Sequence, residues 1–193
     1  MPNQRPATQA DLATMWALRT RAVRASCASH YPAAVIDAWC ASSAPDSLPG
    51  LVAAGGALVA ELDGCMLGYA ILNLSSGEVD AVFVDPGRQR AGIALQLLAA
   101  LDAMAVERGI DRLFLSASLN AVPFYQRAGF SALREEIYPH RTGVELRSVF
   151  MEKLLPCPGQ AALPGSAPAQ TNVTVSSCGR RDFGRPALKS APE

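Results

Sequence analysis

The amino-acid sequence predicts an α/β fold with an antiparallel hairpin near its front end. Asp63-Gly64, a dipeptide typical of tight hairpin turns, joins two strand-like segments, residues 57–62 and 66–74. Downstream, segments with apolar alternation take turns with segments of helical period, which is the pattern of α/β proteins. These segments are strand 78–84, helix 90–108, strand 110–117, helix 120–128 and the final strands 130–136 and 146–155.

Ahead of the hairpin, the sequence predicts two helices and a loop. Apolar residues recur at helical spacing over residues 8–28, where Thr8 and Asp11 fit a short capping box. A second short helix is expected after Pro32. Residues 41–50 are rich in Ser, Pro and Gly, which indicates a loop.

The composition changes at residue 156. Up to residue 155 the periodic apolar segments predict one folded domain, residues 1–155. Residues 156–193 are rich in Pro, Gly, Ala and Ser and have no periodic apolar face. Such a segment cannot bury enough surface to offset its ordering entropy, so a disordered tail is expected there.

Composition also excludes several classes of protein. The 193 residues carry 17 basic and 17 acidic side chains, so the chain lacks the basic excess of a general nucleic-acid binder. No apolar run is long enough for a membrane span, and no stretch near the N-terminus resembles a signal peptide. The five cysteines are dispersed without CxxC pairing, which favours reduced thiols over a zinc site. A cytoplasmic protein without metal, nucleic-acid or membrane partners is therefore expected.

A candidate phosphate site lies where strand 78–84 leads into the next helix. The connecting residues 84–94 read Val-Asp-Pro-Gly-Arg-Gln-Arg-Ala-Gly-Ile-Ala. A helix N-terminus offers free N–H groups and a dipole that favours negative charge, and glycine lets a ligand approach the backbone. The segment is not a Walker P-loop, because no Lys-Ser or Lys-Thr pair follows Gly92, and its glycines do not form a GxGxxG fingerprint.

Two motifs together resemble those of the GNAT N-acetyltransferases. The first, Gln89-x-x-Gly92-x-Ala94, is similar to the acetyl-CoA pyrophosphate loop of that family. The second, residues 117–130, resembles the GNAT stretch in which a short helix carries Phe-Tyr and ends in Gly-Phe. The resemblance covers residues 5–155. It implies a central mixed, mostly antiparallel sheet flanked by helices, with acetyl-CoA as co-substrate.

The resemblance also implies where the cofactor lies. Strand 78–84 would splay from its neighbour, and the pantetheine arm of acetyl-CoA would occupy the gap. The backbone of Val82 and Val84 would pair with the pantetheine amides, and the amides of residues 90–94 would hold the pyrophosphate. Cofactor contacts are expected from Val82, Phe83, Val84, Arg88, Gln89, Arg90, Ala91, Gly92, Ile93, Ala94, Asn120 and Phe124.

Some of these residues have an ordinary structural interpretation as well. Arg88 and Arg90 either add positive charge near the phosphates or belong to a solvated face. Asn120 either hydrogen-bonds the cofactor or caps the helix that follows it, and the cap is the preferred interpretation because Asn is a favoured N-cap residue.

The resemblance suggests three catalytic candidates. Tyr125 matches the family's general acid, which protonates the leaving thiolate, and its alternative is a core aromatic residue. Glu78 and Asp80 are candidate bases, with a water molecule as another option, or else they are solubility charges on a strand edge. Because side chains alternate along a strand, both carboxylates are expected on the same face as Val82 and Val84.

Together these observations predict an N-acetyltransferase. It would transfer the acetyl group of acetyl-CoA to a primary amine by direct attack in a ternary complex. The alternatives are a GNAT-fold module that binds acyl-CoA without turnover, and an interaction protein whose tail is the working part. The sequence does not identify the acceptor, a small-molecule or peptide amine, and a homodimer through the last strands is one option.

Overall fold

The computed structural model describes residues 2–140 and 142–156, so nearly all of the predicted tail, from residue 157 onwards, lies outside the described residues. The helices and strands, in chain order, are β1 (Asn3–Pro6), α1 (Leu12–Ser26), α2 (Ala33–Ala41), α3 (Leu48–Ala53), β2 (Ala57–Leu62), β3 (Cys65–Asn73), β4 (Glu78–Val84), α4 (Ile93–Glu107), β5 (Arg112–Ser118), α5 (Val122–Arg127), β6 (Ser131–Pro139) and β7 (Glu145–Leu154). Short 3₁₀ turns precede α1 (Gln9–Asp11) and follow β4 (Pro86–Arg88). Within these ranges, no helix has both the length and the apolar character needed to cross a membrane.

The strands form one sheet in the order β1-β2-β3-β4-β5-β7-β6. β4 and β5 are parallel, because α4 carries the chain from the end of β4 back to the start of β5, and the other neighbouring pairs are antiparallel. The β2–β3 hairpin turns at Asp63 and Gly64, whose φ angles of 51° and 74° suit a type I′ turn. The predicted hairpin and the mixed, mostly antiparallel sheet are confirmed.

Helices cover both faces of the sheet. On one face, α4 and α5 pack over a core that includes the fully buried Leu97 and Leu101. On the other face, α1 buries Met15 and Leu18 over β2 and β3. Burying each such side chain contributes roughly 1.5–3 kcal/mol, so both helices are held firmly against the sheet.

A bulge in β4 changes the direction of its first side chains. The register between β3 and β4 shifts at Asp80, which is the extra residue of the bulge. Val79 before the bulge and Val82 after it consequently pack against the same core, beneath α4. Glu78 therefore lies on the opposite face. The prediction that it shares a strand face with Val82 and Val84 is wrong, because the bulge interrupts the alternation of side chains.

Two elements were not expected from the sequence pattern. β1 is a polar edge strand, Asn-Gln-Arg-Pro, that forms through its pairing with β2 and not through apolar alternation. α3 begins inside the predicted loop 41–50. Pro49 suits the first turn of this helix, and burial of Leu48 and Val52 stabilises it against the sheet.

Three predicted helices begin later than expected, among them α5, which begins at Val122 and not at residue 120. α1 follows a 3₁₀ turn in which the Asp11 carboxylate accepts hydrogen bonds from the backbone N–H and the hydroxyl of Thr8 at 2.8 and 2.9 Å. α4 begins at Ile93 and not at residue 90. Arg90 and Gly92 have φ angles of 64° and 77°, which a right-handed helix does not accommodate.

Candidate active site

β4 and β5 diverge and leave a cleft in the middle of the sheet. Their ladder contains one pair, Glu78 with Phe114, and the carbonyl of Gly77 accepts the amide of Phe114 at 3.1 Å. Beyond that pair, the edge of β4 that faces β5 has no strand partner among the described residues. This edge contains Val82 and Val84, as the resemblance implies. Its backbone is available to an extended ligand.

Asp85 fixes the loop at the open end of the cleft. Its Oδ1 accepts the N–H of Gly87 at 3.0 Å, and its backbone carbonyl accepts the N–H of Arg88 at 2.8 Å. Its Oδ2 accepts a hydrogen bond from the guanidinium of Arg21, on α1, at 2.8 Å. These bonds, that from Arg21 above all, hold the pKa of Asp85 below its usual range. The turn is therefore tied both to itself and to α1.

The N-terminus of α4 is uncapped. Gly92 is the N-cap residue, no side chain within the described ranges caps the first turn, and that turn contains no acidic residue. A Cβ on Gly92 would meet nothing nearer than the Nε2 of Gln96 at 3.9 Å, so the space beside it is open. Free N–H groups and the helix dipole attract an anion to such a position. The residues here fit a phosphate group.

The side chains of the predicted phosphate loop differ in their exposure. The side chains of Arg88, Gln89, Arg90 and Ala91 are exposed to solvent. The Nε2 of Gln89 donates a hydrogen bond to the hydroxyl of Ser26 on α1 at 2.8 Å, so this side chain holds α1. Ile93 is buried in the core and Ala94 is half-buried, so these two residues offer their backbone N–H groups to a ligand.

Tyr125 and Phe124 lie on α5. Tyr125 is buried, and its ring meets those of Phe124 and Phe130 edge-on, with centroids 4.9 and 5.6 Å apart. Burial raises the pKa of Tyr125 well above its usual value. A phenol with a raised pKa is a weaker acid, so it acts more readily as a hydrogen-bond donor than as a fully ionising group. The position suits both predicted interpretations, general acid and core aromatic.

Asn120 does not cap α5. The N-cap residue is Ala121, and no side chain makes a capping hydrogen bond there. The Oδ1 of Asn120 instead accepts a hydrogen bond from the thiol of Cys27, at the end of α1, at 3.3 Å. The preferred interpretation of Asn120 as a helix cap is therefore wrong, because α5 begins later than its sequence pattern suggests. Contact between Asn120 and the cofactor stays a prediction.

Three carboxylates lie near the paired end of the cleft. Burial, with a contribution from the nearby Glu136 of β6, raises the pKa of Glu78. Burial and Glu78 raise the pKa of Asp80 to about 7, although part of Asp80 remains exposed. Glu136 accepts a hydrogen bond from the hydroxyl of Ser116 and forms an ion pair with Arg134 at 3.3 Å. Among the described residues, no group of His, Cys, Asp or Glu side chains suits a metal ion.

Glu136 and Ser116 are functional candidates that the sequence analysis missed. They lie on β6 and β5, and only the pairing of both strands with β7 brings them together. No motif marks either residue, since their proximity depends on strand register. The local sequence offers the acidic pair Glu135-Glu136, which by itself does not indicate a site.

A cavity of about 420 Å³ lies beside the turn that follows α1. Its lining is mostly apolar and comes from α2, the β5–α5 loop and the β6–β7 pair. The lining residues are His30, Tyr31, Pro32, Val35, Leu119, Ile137, Glu145 and Arg147. The hydroxyl of Tyr31 donates to the carbonyl of Arg147 at 2.6 Å and accepts the N–H of Leu119 at 2.9 Å.

Comparison with known proteins decides the family. A model of the acetyltransferase (GNAT) domain matches residues 27–154, a range that contains the cleft, the phosphate loop and α5. The chain belongs to the GNAT acetyltransferase family. The resemblance inferred from the two motifs is thereby confirmed.

Individual relatives agree with this assignment. The uncharacterized N-acetyltransferase YafP of Escherichia coli (strain K12) is 29% identical over 126 residues, which are 65% of this chain and 79% of YafP. The crystal structure of a GCN5-related N-acetyltransferase from Rhodopseudomonas palustris has a TM-score of 0.72 and 27% identity, covering 80% of this chain and 96% of that one. The PaiA N-acetyltransferase from Thermoplasma acidophilum, in complex with coenzyme A, shares the fold at a TM-score of 0.64 and 19% identity, covering 80% and 99%.

Proposed function

We propose that this GNAT-family member is an acetyl-CoA-dependent N-acetyltransferase that acts on a primary amine by direct attack in a ternary complex. The observation that carries the proposal is the cleft between β4 and β5. It has a free strand edge along one wall and the uncapped N-terminus of α4 at its open end. A strand edge suits a ligand with amide groups, and a helix N-terminus suits its phosphates.

The described residues suit two parts of coenzyme A, the pantetheine arm and the diphosphate. The backbone at Val82 and Val84 would pair with the pantetheine amides, and the first amides of α4 after Gly92 would hold the diphosphate. The exposed guanidinium groups of Arg88 and Arg90 add positive charge at the loop. Acetyl-CoA supplies an acetyl group activated as a thioester.

Two groups of the chain would act in the transition state, one on the acetyl carbonyl and one on the leaving thiolate. A backbone N–H of β4 near Val82 or Val84 would polarise the acetyl carbonyl, as fixed donors do in other acyl transfers. The Oη of Tyr125 would donate a proton toward the departing sulfur. Because burial raises the pKa of Tyr125, we assign it a hydrogen bond in the transition state and not complete transfer beforehand.

Asp80 is our preferred base for the acceptor amine. A carboxylate with a pKa of about 7 removes a proton from an α-amine, whose pKa is near ~8, at a cost of about 1 kcal/mol, but from a lysine side chain near ~10.4 at a cost of about 5 kcal/mol. Glu78 and Glu136 add negative charge that attracts an ammonium group to the cleft. The site therefore favours an α-amine or another weakly basic amine as acceptor.

The second candidate function is an acyl-CoA-binding module without turnover. It is favoured by the burial of Tyr125, which limits that hydroxyl to a packing role if no substrate atom reaches it. The raised pKa of Asp80, which makes it competent as a base near neutral pH, favours the enzyme. The two candidates differ in one observable, the release of free coenzyme A.

The experiment measures free thiol released from acetyl-CoA in the presence of amines. The panel contains an amino-acid amide, a peptide with a free N-terminus, a lysine side-chain analogue and a polyamine, each tested against protein-free controls. Amine-dependent release supports the enzyme, with the α-amines faster than the lysine analogue. Binding of acetyl-CoA by calorimetry without release by any amine would favour the binding module. Absence of both binding and release would contradict both functions.

A further inference from the structure

One segment of the chain contacts both walls of the cleft. We name it the strap, residues 21–31, comprising the second half of α1 and the turn after it. On the β4 side, the guanidinium of Arg21 pairs with Asp85 at 2.8 Å. The hydroxyl of Ser26 accepts a hydrogen bond from the Nε2 of Gln89 at 2.8 Å. Both partners belong to the phosphate loop.

The other end of the strap contacts the β5 side. The thiol of Cys27 donates to the Oδ1 of Asn120 at 3.3 Å. The hydroxyl of Tyr31 accepts the N–H of Leu119 at 2.9 Å and donates to the carbonyl of Arg147 on β7 at 2.6 Å. Leu119 and Asn120 form the loop that leads from β5 into α5, the helix of Tyr125.

The strap is anchored along its inner side. Val23, Cys27 and Tyr31 are buried, with 1%, 3% and 7% of their surfaces exposed, in a cluster shared with α2 and with Phe83 of β4. A segment buried along one side keeps a nearly fixed distance between its two ends, because close-packed interiors deform little. Sheet pairing does not fix the separation of β4 and β5 beyond Glu78. The strap is thus a covalently continuous connection across their open ends.

We propose that the strap sets the separation of the two cleft walls for acetyl-CoA, with Ser26 and Tyr31 as positioning residues. The proposal rests on the proposed function, because it needs the cleft to be the acetyl-CoA site. It also gives Gln89 a different role from the one predicted. The Gln89 amide aligns the phosphate loop against α1, and the loop backbone holds the phosphate.

The test compares two strap variants with a matched control. Ser26→Ala removes the hydrogen bond from Gln89 and leaves the Arg21–Asp85 pair, and Tyr31→Phe removes both hydrogen bonds of the Tyr31 hydroxyl. Arg24→Ala is the control, since Arg24 lies on the same strap but pairs with Asp37 of α2 at 2.9 Å. The readouts are acetyl-CoA affinity by calorimetry, melting temperature, and hydrogen exchange of the Leu119 amide.

Losing these hydrogen bonds is expected to weaken acetyl-CoA binding about three- to tenfold in each strap variant. Arg24→Ala is expected to change the affinity less than about twofold, because exposed ion pairs contribute little. Ser26→Thr, which keeps the hydroxyl, should restore binding. In Tyr31→Phe, exchange of the Leu119 amide should accelerate before global unfolding does.

The outcomes separate the strap from the proposed function. If the wild-type protein binds acetyl-CoA and both strap variants bind it equally well, the strap proposal is overturned and the proposed function stands. If both variants and Arg24→Ala weaken binding in proportion to their loss of melting temperature, the strap has only a structural role and the proposal also fails. If the wild-type protein binds no acetyl-CoA, the proposed function fails first.

Discussion

The two ends of the β4–β5 cleft are built by different means. The open end, proposed to hold the phosphates, is made mainly of backbone: a turn closed by Asp85, left-handed φ angles at Arg90 and Gly92, and the first amides of α4. The paired end, proposed to receive the acceptor, is made of side chains. Glu78 and Asp80 come from β4, and Glu136 approaches Glu78 from β6.

This difference separates what local sequence can determine from what it cannot. A strand, a glycine-containing loop and a helix start are consecutive in the chain, so local sequence brings their backbone amides together, and Arg21 and Ser26 only fix where the loop lies against α1. The carboxylates at the other end depend on strand order and on register. One bulged residue is enough to move Glu78 to the other face of the sheet.

The largest effect is expected at the backbone-made end. Gly92→Asp should weaken acetyl-CoA binding at least about thirtyfold, as measured by calorimetry. Its φ of 77° costs a residue with a Cβ roughly 1–2 kcal/mol, and the new carboxylate would face the phosphates. The cause is backbone strain and charge, since a Cβ at this position meets no neighbour closer than 3.9 Å.

The control for this prediction is Gly109, at the other end of α4. Gly109 has a φ of 72°, and no atom of the described residues lies within 4 Å of the position that a Cβ would take. Gly109→Ala and Gly92→Ala therefore introduce similar backbone strain. Both should lower the melting temperature by similar amounts, and only Gly92→Ala should weaken acetyl-CoA binding. Equal affinities in the two variants would show that the phosphates bind somewhere other than the start of α4.

A smaller effect on binding and a large one on turnover are expected for Tyr125→Phe. Losing the hydroxyl should lower kcat about a hundredfold, the range of a lost general acid, and leave the acetyl-CoA affinity within about twofold. Tyr69→Phe is the matched control, because Tyr69 is also a buried tyrosine with a raised pKa but packs on the α1 side of the sheet. An unchanged kcat in Tyr125→Phe would leave Tyr125 as a core aromatic residue.

Asp80 should make the reaction depend on pH. Since the pKa of Asp80 is about 7, its basic form accumulates as pH rises through that value, and kcat/KM should rise with it. Asp80→Asn should lower the rate at pH 8 about tenfold and flatten the rise. If Asp80→Asn keeps the wild-type dependence of kcat/KM on pH, the base is Glu78 or water.

The same carboxyl group should affect stability, with a sign that follows from its pKa. The folded state binds the Asp80 proton more tightly than the unfolded chain does, because burial and Glu78 raise the pKa. This contribution to stability is complete below about pH 4 and is lost as pH rises through about 7. The melting temperature of Asp80→Asn should therefore fall less than that of the wild type between pH 4 and pH 7.

Elements with local determinants were predicted correctly. The predicted bounds of β4 are the observed ones, Glu78–Val84, and the β2–β3 turn and the loop before α4 lie where they were predicted. The start of α4 was misplaced by a few residues, because apolar periodicity does not reveal that Arg90 takes a left-handed conformation. Family resemblance supplied the divergence of β4 from β5, which no pattern within either strand indicates.

Features that tertiary contacts decide were not predicted. β1 has no apolar pattern and exists through its pairing with β2. Asn is a favoured N-cap residue, but the Oδ1 of Asn120 accepts a hydrogen bond from the thiol of Cys27, which is distant in the sequence. The bulge at Asp80 and the approach of Glu136 likewise depend on pairing between strands.

The smallest effect is expected from Glu136, at the side-chain-made end. Its negative charge raises the pKa of Glu78, and Glu78 in turn raises that of Asp80. Without Glu136 the pKa of Glu78 falls and Glu78 is more fully ionised, so Glu136→Gln should shift the rise of kcat/KM slightly to higher pH and change the rate by less than about fivefold, the scale of partly exposed charge pairs. Glu135→Gln is the matched control, since Glu135 is its chain neighbour but pairs with Arg147 at 3.1 Å. A shift of equal size in both variants would mean that overall charge, and not the carboxylates gathered by strand register, tunes the acceptor end of the cleft.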